Sequence, residues 1–137
     1  MTKQILSLLL AILLALCAVS CTDKPQEEQT APSLVGSWVI TSFVLEDGTS
    51  ASIENELYIT FYEGGYGETK SGMNTHNAFT FTAVNGTLTR VMDYGHNITE
   101  TIEETYVFND DGTLTIHSPE TRNAPASTMT LKRRGTQ

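Results

Sequence analysis

Cysteine is scarce in this chain of 137 residues, which contains only Cys17 and Cys21. Everything after residue 21 therefore has no thiol. A segment without thiols cannot form a disulfide, present a thiolate nucleophile or build a soft-metal site from cysteine ligands. A domain in that segment depends on its hydrophobic core for stability.

Basic residues are also few. Eight Lys and Arg stand against sixteen Asp and Glu, which gives a formal net charge of −8 at pH 7. Loss of the first twenty residues would remove Lys3 and make the net charge one unit more negative. Binding of nucleic acid requires a basic footprint, and docking on anionic lipid requires clustered Lys and Arg. The composition argues against both partner classes and suits solubility.

The sequence lacks the common motifs of catalysis, cofactor binding and metal binding. No Gly-x-Ser-x-Gly elbow is present, and Gly64-Gly65-Tyr66-Gly67 lacks the lysine and the following helix of a phosphate-binding loop. His76, His96 and His117 show no metal-ligand spacing, so a metal site would need the fold to bring them together. We predict no catalytic residues, no cofactor and no metal. An enzyme with two carboxylates brought together by the fold is the alternative.

One long apolar run occurs, from Ile5 to Val19, with Ser7 as its only polar side chain. Its roughly fifteen apolar residues are too few for a comfortable bilayer span, which needs roughly twenty. With Lys3 in front of it, the run is typical of a secretory signal peptide. A short anchor that is never cleaved is the alternative.

The apolar run ends in Ala18-Val19-Ser20-Cys21, which resembles the lipobox of bacterial lipoproteins. In that family the cysteine sulfur receives a diacylglycerol, and cleavage then makes the cysteine the first residue. The resemblance implies a signal peptide over residues 1–20 and a lipid with acyl chains such as palmitate on Cys21. Two or three acyl chains give stable anchoring, whereas one chain gives only marginal binding.

Residues 21–33 comprise this cysteine and a polar segment with two prolines and no large apolar side chain. Such a composition predicts a disordered tether. Its acidic residues resemble the surface-export signal of Bacteroidetes lipoproteins, although Lys24 interrupts them. We predict a lipid-anchored protein of the outer membrane, with the cell surface and the periplasmic face as alternatives.

From Leu34 onward, apolar residues alternate with polar ones, threonine above all, which is typical of half-buried antiparallel strands. The alternation is clear over residues 57–62, 79–83, 87–92, 106–108, 113–117 and 128–132. Asn85-Gly86 and Asp111-Gly112 separate alternating runs and predict tight hairpins. We predict an all-β domain over residues 34–137, a small antiparallel up-and-down barrel of seven to eight strands. A β-sandwich is the alternative.

Both ends of this domain resemble lipocalins. Leu34-Val35-Gly36-Ser37-Trp38 resembles their Gly-x-Trp opening, and the segment Met129 to Arg134 resembles their closing strand. In that family a late arginine packs over the tryptophan at the closed end of the barrel. The resemblance implies this role for Arg133 or Arg134 against Trp38, through a cation–π contact. The domain is similar to the lipocalin-like domains of Bacteroidetes lipoproteins.

Eleven aromatic residues indicate either a filled core or a barrel able to hold an apolar ligand. We predict a lipid-anchored envelope protein that binds a small apolar ligand or a partner protein. A ligand is expected at the open end, away from Trp38, with Tyr58, Tyr62, Tyr66 and Arg90 as candidate mouth or wall residues. The alternative is a structural or interaction module of an envelope complex with a filled barrel and no ligand.

Overall fold

The computed structural model describes residues 32–135. The predicted signal peptide 1–20, the predicted lipidation site Cys21 and all but the last two residues of the predicted tether lie outside the described residues. Among residues 32–135, no helix is long and apolar enough to cross a membrane.

Eight strands form the domain, each antiparallel to the next along the chain. They are β1 (Gly36–Leu45), β2 (Leu57–Tyr62), β3 (Tyr66–Ser71), β4 (Asn74–Val84), β5 (Thr87–Asp93), β6 (Thr99–Phe108), β7 (Thr113–Ser118) and β8 (Ser127–Arg133). The last strand pairs with the first, so the sheet closes on itself as an up-and-down barrel. The predicted fold is confirmed, and the closure excludes the sandwich alternative.

Local sequence explains the tight connections. Asn85 and Gly86 both have positive φ, 50° and 80°, as a two-residue hairpin of type I′ requires. They join β4 to β5 at the position that the Asn-Gly pair predicted. Gly112, with φ of 81°, ends the turn between β6 and β7. Connections this short can join only adjacent antiparallel strands, so consecutive strands pair as neighbours.

The core lies inside the barrel and consists of the apolar halves of the alternating strands. Its buried members are Leu34, Trp38, Ile40, Ile59, Phe61, Phe79, Leu88, Met92, Leu114, Ile116, Met129 and Leu131. All of these residues, and every strand pair, lie between Leu34 and Arg133. The described residues therefore supply a complete hydrophobic core and a closed set of strand pairs, as an independently folding domain requires.

The two ends of the barrel differ in construction. We call one the closed end, where β1 begins, β8 ends and the short connections 63–65, 85–86 and 109–112 lie. The other is the open end, which carries the connections 46–56, 72–73, 94–98 and 119–126. The longer connections at the open end leave room for an entrance to the interior.

Candidate functional site

A cavity of about 450 Å³ lies at the open end of the barrel. Inward-facing strand residues form its walls, and residues 51–53 and 119–125 contribute to its rim. Most of the lining is apolar and includes Ile40, Phe43, Ile53, Leu57, Met92 and Ile102. An apolar ligand that displaces water from such a surface lowers the free energy of the complex.

An ion pair between Arg90 and Glu104 lies in the wall of this cavity. The two residues are 7% and 1% exposed, so both charges have left bulk water. Arg90 Nε donates to Glu104 Oε2 at 2.6 Å, and Arg90 Nη2 donates to Glu104 Oε1 at 2.6 Å. The two hydrogen bonds of this bidentate geometry offset the free-energy cost of removing both charges from water.

Two further contacts hold the pair in place. Ser118 Oγ donates to Glu104 Oε1, so the carboxylate accepts three hydrogen bonds in all. The guanidinium carbon of Arg90 lies 5.2 Å from the ring centroid of Phe79, within the range of a cation–π contact. The pair is thus a fixed, charged element in a wall that is mostly apolar and also contains uncharged polar side chains such as Thr69 and Asn77.

The rim of the cavity includes Tyr94, between β5 and β6. Its hydroxyl donates to Glu100 Oε2 at 3.1 Å, and the amide of Asn123 donates to the same oxygen at 3.2 Å. Burial raises the pKa of Tyr94, and the bond to Glu100 adds to the increase. Glu100 therefore ties two connections of the open end together.

The closed end contains Trp38 and Arg133. The guanidinium carbon of Arg133 lies 4.4 Å from the Trp38 ring centroid, and its nitrogens donate to the carbonyl oxygens of Val35 and Ser33 at 3.0 and 2.7 Å. Trp38 Nε1 donates to the carbonyl oxygen of Leu34 at 2.8 Å. These contacts fasten the chain that enters the barrel to the end of β8.

Arg134, the other candidate for the closed end, lies elsewhere. Its guanidinium carbon is 4.5 Å from the ring centroid of Tyr58, and its Nη2 is 3.8 Å from a carboxylate oxygen of Glu56. The neighbouring arginines separate because consecutive residues of a strand project to opposite faces. Arg133 takes the inner side, and Arg134 takes the outer side.

Of the four residues predicted to line the ligand site, the structure places only Arg90 at the cavity. The other three, Tyr58, Tyr62 and Tyr66, lie on the outer face of the barrel. Strand alternation is the physical reason: Ile59 and Phe61 of β2 belong to the core, so their neighbours point outward.

Local contacts on the outer face occupy these three tyrosines. The Tyr58 hydroxyl donates to the carbonyl oxygen of Gly72, and the Tyr62 hydroxyl donates to Glu68. The rings of Tyr62 and Tyr66 stack with centroids 4.7 Å apart. Their assignment to the wall of the ligand site is therefore corrected.

Glu104 lines the cavity but was not among the residues predicted from the sequence. It occupies the inward positions of β6 together with Ile102, Tyr106 and Phe108. A carboxylate on the apolar side of an alternating strand was the available signal, because such a charge needs a partner inside the barrel. The partner, Arg90, occupies the corresponding inward side of β5, one strand away.

The described residues contain no group of three or more His, Cys, Asp and Glu side chains that could hold a metal ion. The His117 ring lies outside the barrel, where its Nδ1 is 2.8 Å from Thr128 Oγ1. Comparisons with protein-family models, with curated proteins and with solved structures found no match to this chain. Its function is therefore inferred from the cavity and from the sequence.

Proposed function

We propose that this chain is a lipid-anchored envelope lipoprotein whose lipocalin-like barrel binds a small, largely apolar ligand. The observation that carries the proposal is the cavity of about 450 Å³ at the open end. Its volume falls within the range of about 300–1,000 Å³ typical of small-molecule sites. An apolar lining with a few fixed polar groups is also the usual composition of such sites.

Uneven packing along the barrel supports ligand binding over the alternative of a filled barrel. Toward the closed end the interior is dense, with Phe61, Leu88, Leu114 and Leu131 at most 1% exposed. Toward the open end, Phe43, Ile53 and Leu57 are only partly buried and border the cavity. An eight-stranded barrel has room for its own side chains or for one small ligand. Here the side chains use only part of that room.

The anchor and the family rest on other observations. The lipobox-like Ala18-Val19-Ser20-Cys21 supports lipid attachment at Cys21 and a place at the outer membrane, on the cell surface or the periplasmic face. The closed up-and-down barrel and the contact between Trp38 and Arg133 support the lipocalin-like family. Binding of a partner protein in the envelope is the second candidate function, and no feature of the cavity favours it.

The ligand site is tested with a soluble chain of residues 22–137 and the neutral fluorescent probe N-phenyl-1-naphthylamine. We expect saturable binding of the probe to the unaltered chain. Thr69→Phe places a ring in the cavity, because Thr69 lines it, and should abolish the binding. Thr89→Phe is the matched control: Thr89 lies on the outer face of β5, between the inward-facing Leu88 and Arg90.

Circular dichroism shows whether each variant keeps the barrel. Loss of probe binding in folded Thr69→Phe, with binding retained in Thr89→Phe, is the expected result. Unaltered probe binding by Thr69→Phe would mean that the cavity is not the binding site. No saturable binding to the unaltered chain would refute the proposed function.

A further inference from the structure

The guanidinium of Arg90 has hydrogen-bond donors that do not take part in the ion pair with Glu104. A guanidinium carries five N–H groups, and Glu104 accepts one from Nε and one from Nη2. Both bonds lie on one edge of the guanidinium plane. The opposite edge, formed by Nη1 and the second hydrogen of Nη2, has no acceptor among the described residues.

At one end of this second edge, Nη1 keeps some exposure. Every buried side-chain nitrogen and oxygen atom of the described residues has a hydrogen-bond partner. Nη1 of Arg90 has none there, so it is not a buried atom, and Arg90 is one of the residues that line the cavity.

Glu104 presents nothing equivalent to a ligand. Its side chain is 0% exposed, and its two oxygens already accept three hydrogen bonds. The ion pair therefore has free hydrogen-bond donors, those of Arg90, but its acceptors, the oxygens of Glu104, are already occupied. A ligand that meets this wall must bring an acceptor to satisfy the donors, since a polar group desolvated without a partner costs free energy.

Charge decides which kind of acceptor fits. The pair of Arg90 and Glu104 is neutral as a whole, so a carboxylate beside it would leave one negative charge uncompensated in an apolar cavity. An ammonium group would face the N–H donors of Arg90 with a like charge. An uncharged acceptor, such as a ketone or an ester carbonyl, takes the hydrogen bonds without either cost.

From these contacts we infer that the cavity selects apolar molecules that end in an uncharged hydrogen-bond acceptor, which binds the free edge of Arg90. This inference rests on the proposed function, because it names the ligand class of the same cavity. The apolar part of the ligand lies against the side chains of Ile40, Met92 and Ile102.

Four eight-carbon probes test the inference by displacing N-phenyl-1-naphthylamine from the soluble chain at pH 7. They are 2-octanone, octanoate, octylammonium and 1-octene, which differ in the polar end and share the chain length. Hydrogen bonds to a charged group are among the stronger ones, so we expect 2-octanone to bind about tenfold more tightly than each of the other three.

The paired variant Arg90→Met with Glu104→Met removes the donors without leaving one charge alone. In this variant the preference should reverse, so that 2-octanone binds more weakly than 1-octene, because its carbonyl leaves water without gaining a hydrogen-bond donor. Glu68→Gln is the control for a change of charge outside the cavity, and it should retain the tenfold preference. Binding of 1-octene and a circular dichroism spectrum show that the paired variant is folded.

Failure of the inference and failure of the proposed function give different results. If the fluorescent probe binds but octanoate, octylammonium or 1-octene equals 2-octanone, the acceptor rule is overturned and the ligand site stands. A preference for 2-octanone that persists in the paired variant would overturn the role of Arg90. If no probe binds in the cavity, the proposed function fails and the inference fails with it.

Discussion

The guanidinium carbon of Arg133 lies 4.4 Å from the ring centroid of Trp38. The same guanidinium donates to the carbonyl oxygens of Val35 and Ser33, while Trp38 donates to that of Leu34. One arginine and one tryptophan thus satisfy three successive carbonyl groups of the entering chain. This arrangement closes one end of the barrel and leaves the other end to the cavity.

Replacing Arg133 tests the value of this closure. Arg133→Met loses the cation–π contact and two hydrogen bonds, and we expect the free energy of unfolding to fall by about 1–3 kcal/mol. Urea denaturation followed by fluorescence measures the change, since Trp38 is the only tryptophan in the chain.

Arg134→Met is the matched control for that experiment. It loses the contact with the Tyr58 ring and an ion pair with Glu56 in which the two side chains are 38% and 54% exposed. Exposed contacts of this kind are worth little and no hydrogen bond to a backbone carbonyl is lost, so the variant should cost about 1 kcal/mol or less. Equal losses in the two variants would contradict a special role for Arg133 at the closed end.

The ion pair of Arg90 and Glu104 predicts strong non-additivity. Arg90→Met alone leaves the buried carboxylate of Glu104 without its partner, and the free energy of unfolding should fall by about 3–5 kcal/mol. Replacing both residues by Met removes the uncompensated charge, so the paired variant should be considerably more stable than the single one. Urea denaturation of the two variants and of the unaltered chain measures the coupling. A paired variant less stable than Arg90→Met would show that the charges are not coupled as described.

Glu68 on the outer face predicts a dependence of stability on pH. The hydrogen bond from Lys70, followed by that from Tyr62, holds the pKa of Glu68 below its usual value of 4.5. A lowered pKa in the folded state stabilises the fold above the usual pKa, and this stabilisation disappears as the pH falls through the folded value. We therefore expect Glu68→Gln to weaken the loss of stability on acidification. Denaturation midpoints at pH values from about 6 to about 3 measure it.

Glu63→Gln is the comparison for the acidic range. Glu63 is exposed in the connection between β2 and β3, and its side chain makes no hydrogen bond to the described residues. Glu63→Gln should therefore lose stability on acidification to the same extent as the unaltered chain. If Glu68→Gln also loses as much stability on acidification as the unaltered chain, the hydrogen bonds of Glu68 do not contribute to the pH dependence of stability.

The proposed lipid anchor is tested at Cys21. Cys21→Ala removes the sulfur that a diacylglycerol would modify, so we expect the protein to leave the membrane fraction and to lose labelling by a fatty-acid precursor. Cys17→Ala removes the other cysteine of the chain and should leave both properties unchanged. Retention of Cys21→Ala in the membrane fraction, with labelling intact, would refute lipid attachment at this residue.

Local features of the sequence predicted the barrel, with a sandwich as the alternative that the pairing of β1 with β8 excluded. Threonine-rich alternation defines strands with one apolar face, and pairs such as Asn85-Gly86 set hairpins between them. Both signals act between residues close in the chain, so they can be read without coordinates. A series of hairpins with one apolar face leaves few ways to bury that face, and closure is one of them.

The sequence was less informative about the site, because alternation does not say which of two aromatic sets faces inward. In β2 both sets are aromatic or large: Tyr58 and Tyr62 alternate with Ile59 and Phe61. The tyrosines were predicted at the ligand site, but hydrogen bonds to Gly72 and Glu68 hold two of them on the outer face.

The sequence by itself determined most of the strands and their antiparallel order along the chain, because these depend on local periodicity and on turn residues. The polar strand β3 has no apolar alternation and was not predicted. Only the tertiary structure decided that Glu104 meets Arg90, that Arg133 rather than Arg134 covers Trp38, and that part of the interior stays empty. Those outcomes depend on how side chains from distant strands share the volume inside the closed sheet, and no local pattern encodes that volume.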